Sequence, residues 1–193
     1  KSTIKSSNYI PEDAFLISVP INRNYTDGNH ILHFIEASGK LLYESKIKTL
    51  FFIFGSSNNQ FFNELSNKYN EKMDFIEFRF YPINSNKYSS LMKICDLGII
   101  FEGSKYGLDL TPEFIQVASS NLPVIVYRYG CVCELYKKFH KSALYFNSKE
   151  DFLDLFKKIF ITKEINLKEL KFDSENLFNW VEMWNEALLK YIK

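Results

Sequence analysis

The side chains best suited to chemistry are few and scattered. Cys131 and Cys133 stand two apart with His140 following, a set that would offer sulfur and nitrogen ligands to zinc. Structural zinc sites use four ligands in spaced pairs, and with no fourth supplied these cysteines read as ordinary core or helix residues. His30 and His33 are three apart on a predicted helix, but with no third ligand nearby they read as a solvated pair. No G-x-S-x-G marks a serine nucleophile. Neither G-x-G-x-x-G nor G-x-x-x-x-G-K-S/T is present, which removes the dinucleotide fingerprint and the P-loop. Generic motifs thus supply no catalytic residue.

Position must therefore come from the elements. Six segments of strand length, most of them apolar, recur along the chain: Phe15 to Val19, Leu50 to Phe54, Phe75 to Tyr81, Asp96 to Phe101, Leu122 to Val126 and Ala143 to Phe146. Helical patterns lie between them, with Ile31, Phe34 and Ile35 on one face of the first. Further helices are read at Phe61 to Leu65, Ser85 to Lys93, Pro112 to Val117 and Cys131 to Phe139. Ser148, with Asp151 three positions on, reads as the N-cap of a helix whose stripe is Phe152, Leu155, Phe156, Ile159 and Phe160. A last helical face carries Leu177, Val181, Trp184, Leu188 and Tyr191.

Strand-helix units of about 25 to 35 residues, with continuously apolar strands, predict an α/β fold. It is a Rossmann-like parallel sheet of about six strands covered by helices on both faces. Ligands in such sheets bind at the carboxyl ends of the strands, near the point where strand order reverses. The polar residues 1–13 read as a linker and residues 14–193 as one domain.

Composition narrows the partners. With 24 Lys plus Arg against 23 Asp plus Glu, the net charge of +1 gives no broad attraction to nucleic acid or anionic membrane. No apolar run approaches the roughly 20 residues of a membrane span. Three cysteines cannot form a fully paired disulfide set, so a reduced, cytosol-facing location is expected. The chain starts at Lys1 rather than Met and reads as a domain of something longer.

One series of segments is specific. Asp96-Leu97-Gly98, Gly107-Leu108-Asp109-Leu110, Leu122-Pro123-Val124 and Cys131-Val132-Cys133-Glu134-Leu135 follow one another with fixed spacing. Tyr81-Pro82 precedes them, and Trp180 and Trp184 follow. In letters and spacing the series resembles the carboxyl-terminal half of the chitobiosyldiphosphodolichol beta-mannosyltransferase family, enzymes of the two-domain GT-B glycosyltransferase fold. Leu16 to Thr26 resembles, more weakly, the strand and loop that open that half.

The resemblance implies the GDP-mannose-binding half of an inverting β-1,4-mannosyltransferase, acting on dolichol-linked chitobiose at the cytosolic face of the endoplasmic reticulum in N-glycan precursor assembly. The acceptor and any membrane anchor would belong to a missing amino-terminal domain. The isolated domain would be catalytically silent, no catalytic residue is assigned, and no metal or other cofactor would be required, since helix dipoles and basic residues neutralise the diphosphate in such enzymes. The donor-binding residues it implies are Gly55, Ser56, Tyr81, Pro82, Ser104, Gly107, Leu108, Asp109, Leu110, Gln116 and Glu134. Gly107 would let the backbone approach the diphosphate at a helix amino terminus, where free N–H groups and the dipole favour negative charge. Asp109 would accept hydrogen bonds from mannose hydroxyls or, alternatively, cap the following helix.

The departures favour a second reading. Gln116 stands where the family carries an acidic residue, and Gly55-Ser56-Ser57 replaces a Gly-Lys-Gly loop. Thr111, Ser119 and Ser142-Ala143 replace a proline, a glycine and an Asn-Gly turn, while Lys105 or Arg128 are candidate replacements for the lost basic phosphate partner. Lost charge and lost glycines would suit a degenerate GT-B-like domain kept as a non-catalytic interaction or scaffold module.

Overall fold

Alternate residues of a strand point to opposite faces of a sheet, so a run apolar at every position must be covered twice. β1 (Phe15–Pro20) shows this directly: Leu16 and Ser18 enter one core cluster's side, and Ile17 and Val19 the other. The structure, a computed structural model, describes residues 9–21, 28–55, 67, 75–82, 87–101, 120, 122–127 and 143–170. Within them five further strands follow: β2 (Thr49–Gly55), β3 (Ile76–Pro82), β4 (Leu97–Ile100), β5 (Val124–Tyr127) and β6 (Leu144–Phe146). Each lies in, or within a residue or two of, one of the six segments read as strands.

The six strands form one sheet in the order β3-β2-β1-β4-β5-β6, and every neighbouring pair is parallel. β1 therefore sits between β2 and β4, and strand order reverses there, the switch point of a doubly wound sheet. The expected parallel α/β fold is the observed one.

Helices cover both faces. On one, α1 (Gly28–Glu44) lays Ile31, Phe34, Ile35 and Leu42 against Ile17, Val19, Phe51 and Ile53. α3 (Lys149–Phe156) completes that face with Phe152 and Phe156, both wholly buried. The Phe34 ring lies 5.7 Å from Phe101, 5.7 Å from Phe146 and 5.5 Å from Phe152, so aromatic packing ties α1 to β6 and α3. On the other face α2 (Tyr88–Met92) packs Tyr88, Leu91 and Met92 over Leu16, Phe52 and Phe54. Ser18, buried on that face, donates to the Met92 sulfur at 2.7 Å, which satisfies its hydroxyl away from water. Ile10 is buried in the same cluster.

The start of α3 follows the expected cap with one difference. Asp151 N–H donates to Ser148 Oγ at 3.1 Å, whereas the Asp151 carboxylate accepts from Asn147 N–H, one residue before the cap. The shorter Asp replaces the Glu or Gln of a capping box, and its reach selects a different donor. The apolar stripe read as one helix through Phe160 is in fact α3 followed by a π-helical turn over Lys157–Ile161. Of the helix read over Ser85 to Lys93, the described residues, 87–93, are helical across Tyr88–Met92.

Candidate functional site

The carboxyl edge of the sheet is where the topology concentrates the expected binding residues. β2 and β3 end in register, pairing Phe54 with Tyr81 and Gly55 with Pro82. Two loops that are distant in sequence thus leave the sheet side by side. β1 ends beside them, with Ile21 N–H donating to Phe54 C=O at 2.7 Å.

Tyr81 is half-buried and fixed by aromatic neighbours. Its ring stacks on Phe54 at 6.0 Å and meets Phe52 edge-on at 5.9 Å. Phe54 is itself held by Tyr88 at 4.4 Å in a T-shaped pair. Such packing holds the Tyr81 ring in place. At Gly55 a Cβ would meet the Phe80 ring at 3.4 Å and Ile21 C=O at 3.6 Å, so the chain's own atoms line that side of the strand end.

Of the implied donor-binding residues the structure brings together Gly55, Tyr81 and Pro82. Ser56, Ser104, Gly107, Leu108, Asp109, Leu110, Gln116 and Glu134 lie outside the described residues, as do Cys131, Cys133 and His140. Phe101, the last described residue past β4, is buried in the aromatic cluster at the switch-point strand. Among the described residues no group of three His, Cys, Asp or Glu is placed to hold a metal ion, and no helix is long and apolar enough to cross a membrane. His33 is exposed and lies 3.9 Å from Glu36.

Asp96, which opens the Asp-Leu-Gly segment, has a structural task. Its carboxylate accepts from Leu16 N–H at 3.0 Å, and its own N–H donates to Leu16 C=O at 2.8 Å. The motif's acid thus fastens β4 to β1 at the amino edge, away from the expected ligand.

Arg79, on β3, is bound to Glu77 through two nitrogens and donates to Tyr9 C=O at 3.0 Å. Burial works against its charge, but the hydrogen bond and charge of Glu77, with Tyr81 adding to them, outweigh burial and raise its pKa.

A feature that sequence reasoning missed lies on the opposite edge. A cavity of about 1030 Å³ opens at the amino ends of the strands, bordered by Phe15, Lys48, Asp96 and Pro123 and by the chain beyond α3. Its walls come from five separated segments, and no local pattern marks them as neighbours.

No protein-family model matches the chain. Two curated proteins named chitobiosyldiphosphodolichol beta-mannosyltransferase are similar to it. That of Candida glabrata is 30% identical over 113 residues, 57% of this chain and 24% of that protein. That of Kluyveromyces lactis is 29% identical over 120 residues, 61% of this chain and 26% of that protein. The match spans about a quarter of those relatives' length. Among solved structures, WaaG, a glycosyltransferase involved in lipopolysaccharide biosynthesis, superposes with a TM-score of 0.59. That superposition covers 81% of this chain and 40% of WaaG at 15% identity, which is a likeness of fold. The chain thus has the parallel sheet found in one part of a GT-B glycosyltransferase and resembles, over that part, the beta-mannosyltransferases of dolichol-linked chitobiose.

Proposed function

We propose that this chain is the nucleotide-sugar-binding half of a glycosyltransferase, with GDP-mannose as donor and dolichol-linked chitobiose as acceptor. The observation that carries the reading is the carboxyl edge: Gly55 ends β2, which neighbours the switch-point strand β1, and Pro82 ends β3 in register with it, on the side of the sheet where folds of this order bind ligands. The 30% identity to a named beta-mannosyltransferase supplies the chemistry. On this reading Gly107 and the helix amino terminus after it receive the diphosphate, Asp109 accepts from mannose hydroxyls, and Tyr81 with Pro82 borders the guanine. Ser56, Ser104, Leu108, Leu110, Gln116 and Glu134 line the remainder. The parent protein works at the cytosolic face of the endoplasmic reticulum membrane. Its acceptor is held by a domain outside this half, so the chain alone binds donor without turning it over.

The test is thermal stability with nucleotide. A ligand that binds only the folded state at 100 times its Kd adds about 2.7 kcal/mol. GDP should raise the melting temperature where UDP and ADP do not, and Asp109→Ala should diminish that rise. The absence of any response at millimolar GDP would favour the scaffold reading that Gln116 and Gly55-Ser56-Ser57 suggest.

A further inference from the structure

The cavity at the amino edge of the sheet is built from two kinds of surface. Its apolar floor includes Phe15, Leu122, Ile159 and Phe160. Phe160 stands edge-on to Phe15 at 4.7 Å, so the chain beyond α3 is locked to the start of β1. Its rim is cationic, with four lysines against two aspartates. Lys48 is engaged by Asp13 at 3.1 Å, and the Asp96 carboxylate accepts from Leu16 N–H. Lys93, Lys163 and Lys168 make no ion pair among the described residues.

Two backbone irregularities fall in the same wall. The π-helical turn Lys157–Ile161 closes with Thr162 N–H donating to Lys157 C=O at 3.0 Å, and it carries both Ile159 and Phe160. Lys163 follows at φ 59°, a left-handed conformation that is unfavourable for a side-chain-bearing residue. π turns and strained single residues recur at binding sites, where surrounding packing holds them. Here the packing around Phe160 does so.

We infer that this cavity binds an amphipathic anion, its phosphate or carboxylate head on Lys93, Lys163 and Lys168 and its apolar body on Phe15, Leu122, Ile159 and Phe160. The volume suits a small ligand of that class. β1 spans about 20 Å at 3.3 Å per residue, so the site stands that far from the carboxyl edge and is independent of nucleotide binding.

Titration calorimetry of the 193-residue chain with dodecyl phosphate, below its micelle concentration, tests this. Saturable binding is expected, at least tenfold tighter than that of inorganic phosphate or of dodecyl maltoside, and unchanged by saturating GDP. The double variant Lys93→Glu, Lys168→Glu should weaken it at least tenfold while leaving the circular dichroism spectrum and melting temperature unaltered, since both side chains are exposed. Equal binding of the neutral amphiphile, no saturable binding, or an unaffected double variant would overturn the proposal. So would sedimentation with phosphatidic acid vesicles in the absence of monomer binding, which would identify a membrane surface rather than a pocket ligand.

Discussion

Asp96 and Leu16 exchange two hydrogen bonds across 80 positions of sequence: backbone N–H to carbonyl at 2.8 Å, and backbone N–H to carboxylate at 3.0 Å. The pair closes the amino edge at the junction of β1 and β4, where strand order reverses. Leu16 N–H has a carboxylate partner there, and Leu16 itself is wholly buried.

Asp96→Ala removes that acceptor and leaves a backbone donor unsatisfied, so stability should fall by about 1–3 kcal/mol in urea denaturation. Asp96→Asn keeps an oxygen acceptor and should cost less. GDP binding by the folded fraction should be unchanged in both, which separates this residue from the carboxyl-edge site.

Gly55→Ala is the complementary probe. The added methyl meets its nearest neighbour, the Phe80 ring, at an ordinary contact distance, so folding should survive with a stability change under about 1 kcal/mol. If backbone at this position approaches the nucleotide, GDP affinity should drop at least tenfold. The measurement is a GDP titration on the intact, folded variant.

Gly39→Ala should behave in the opposite way. A methyl added on α1 would lie 3.0 Å from the Phe78 ring tip, and Phe78 is buried and stacked on Phe51 at 5.0 Å, so the ring cannot retreat. Overpacking of about 1–3 kcal/mol outweighs the helix propensity gain of about 1 kcal/mol. Thermal unfolding should show a lower midpoint despite the better helix former.

Phe152→Ala should be the most damaging of these changes. Its ring is wholly buried and lies 4.9 Å from Phe146, 4.7 Å from Phe156 and 5.5 Å from Phe34. Truncation should cost about 3–5 kcal/mol, a large share of the stability of a domain this size. Denaturant midpoints of Phe152→Leu and Phe152→Ala should fall in that order.

Arg79→Gln tests the sign of an electrostatic contribution. Because the folded state raises the Arg79 pKa, its stabilisation is fully present below the unfolded value and is lost only as pH rises through the folded one. Both lie above the working range. The stability difference between wild type and Arg79→Gln should therefore be constant from pH 7 to pH 10 in denaturant titrations, to within about 0.5 kcal/mol.

Five of the six strands were legible as largely apolar runs, and β3 as Ile76, Phe78 and Phe80 alternating with Glu77 and Arg79; both patterns are local properties of adjacent residues. The cap of α3 was legible for the same reason: Ser148 and Asp151 are three residues apart and act on each other directly. The mannosyltransferase resemblance, too, rests on residues in linear order from Asp96 to Leu135. Sequence alone therefore determined the fold class, the six strands and the family likeness. Tertiary structure decided what depends on chain segments meeting: the order β3-β2-β1-β4-β5-β6, the pairing of Gly55 with Pro82, and the Asp96 clamp on Leu16. It also decided the turn into π-helix at Lys157, since Phe160 must reach Phe15 and a helical stripe cannot record a partner 145 positions away. The lysine-rimmed cavity belongs to that second class, its walls contributed by segments whose proximity only the closed sheet creates.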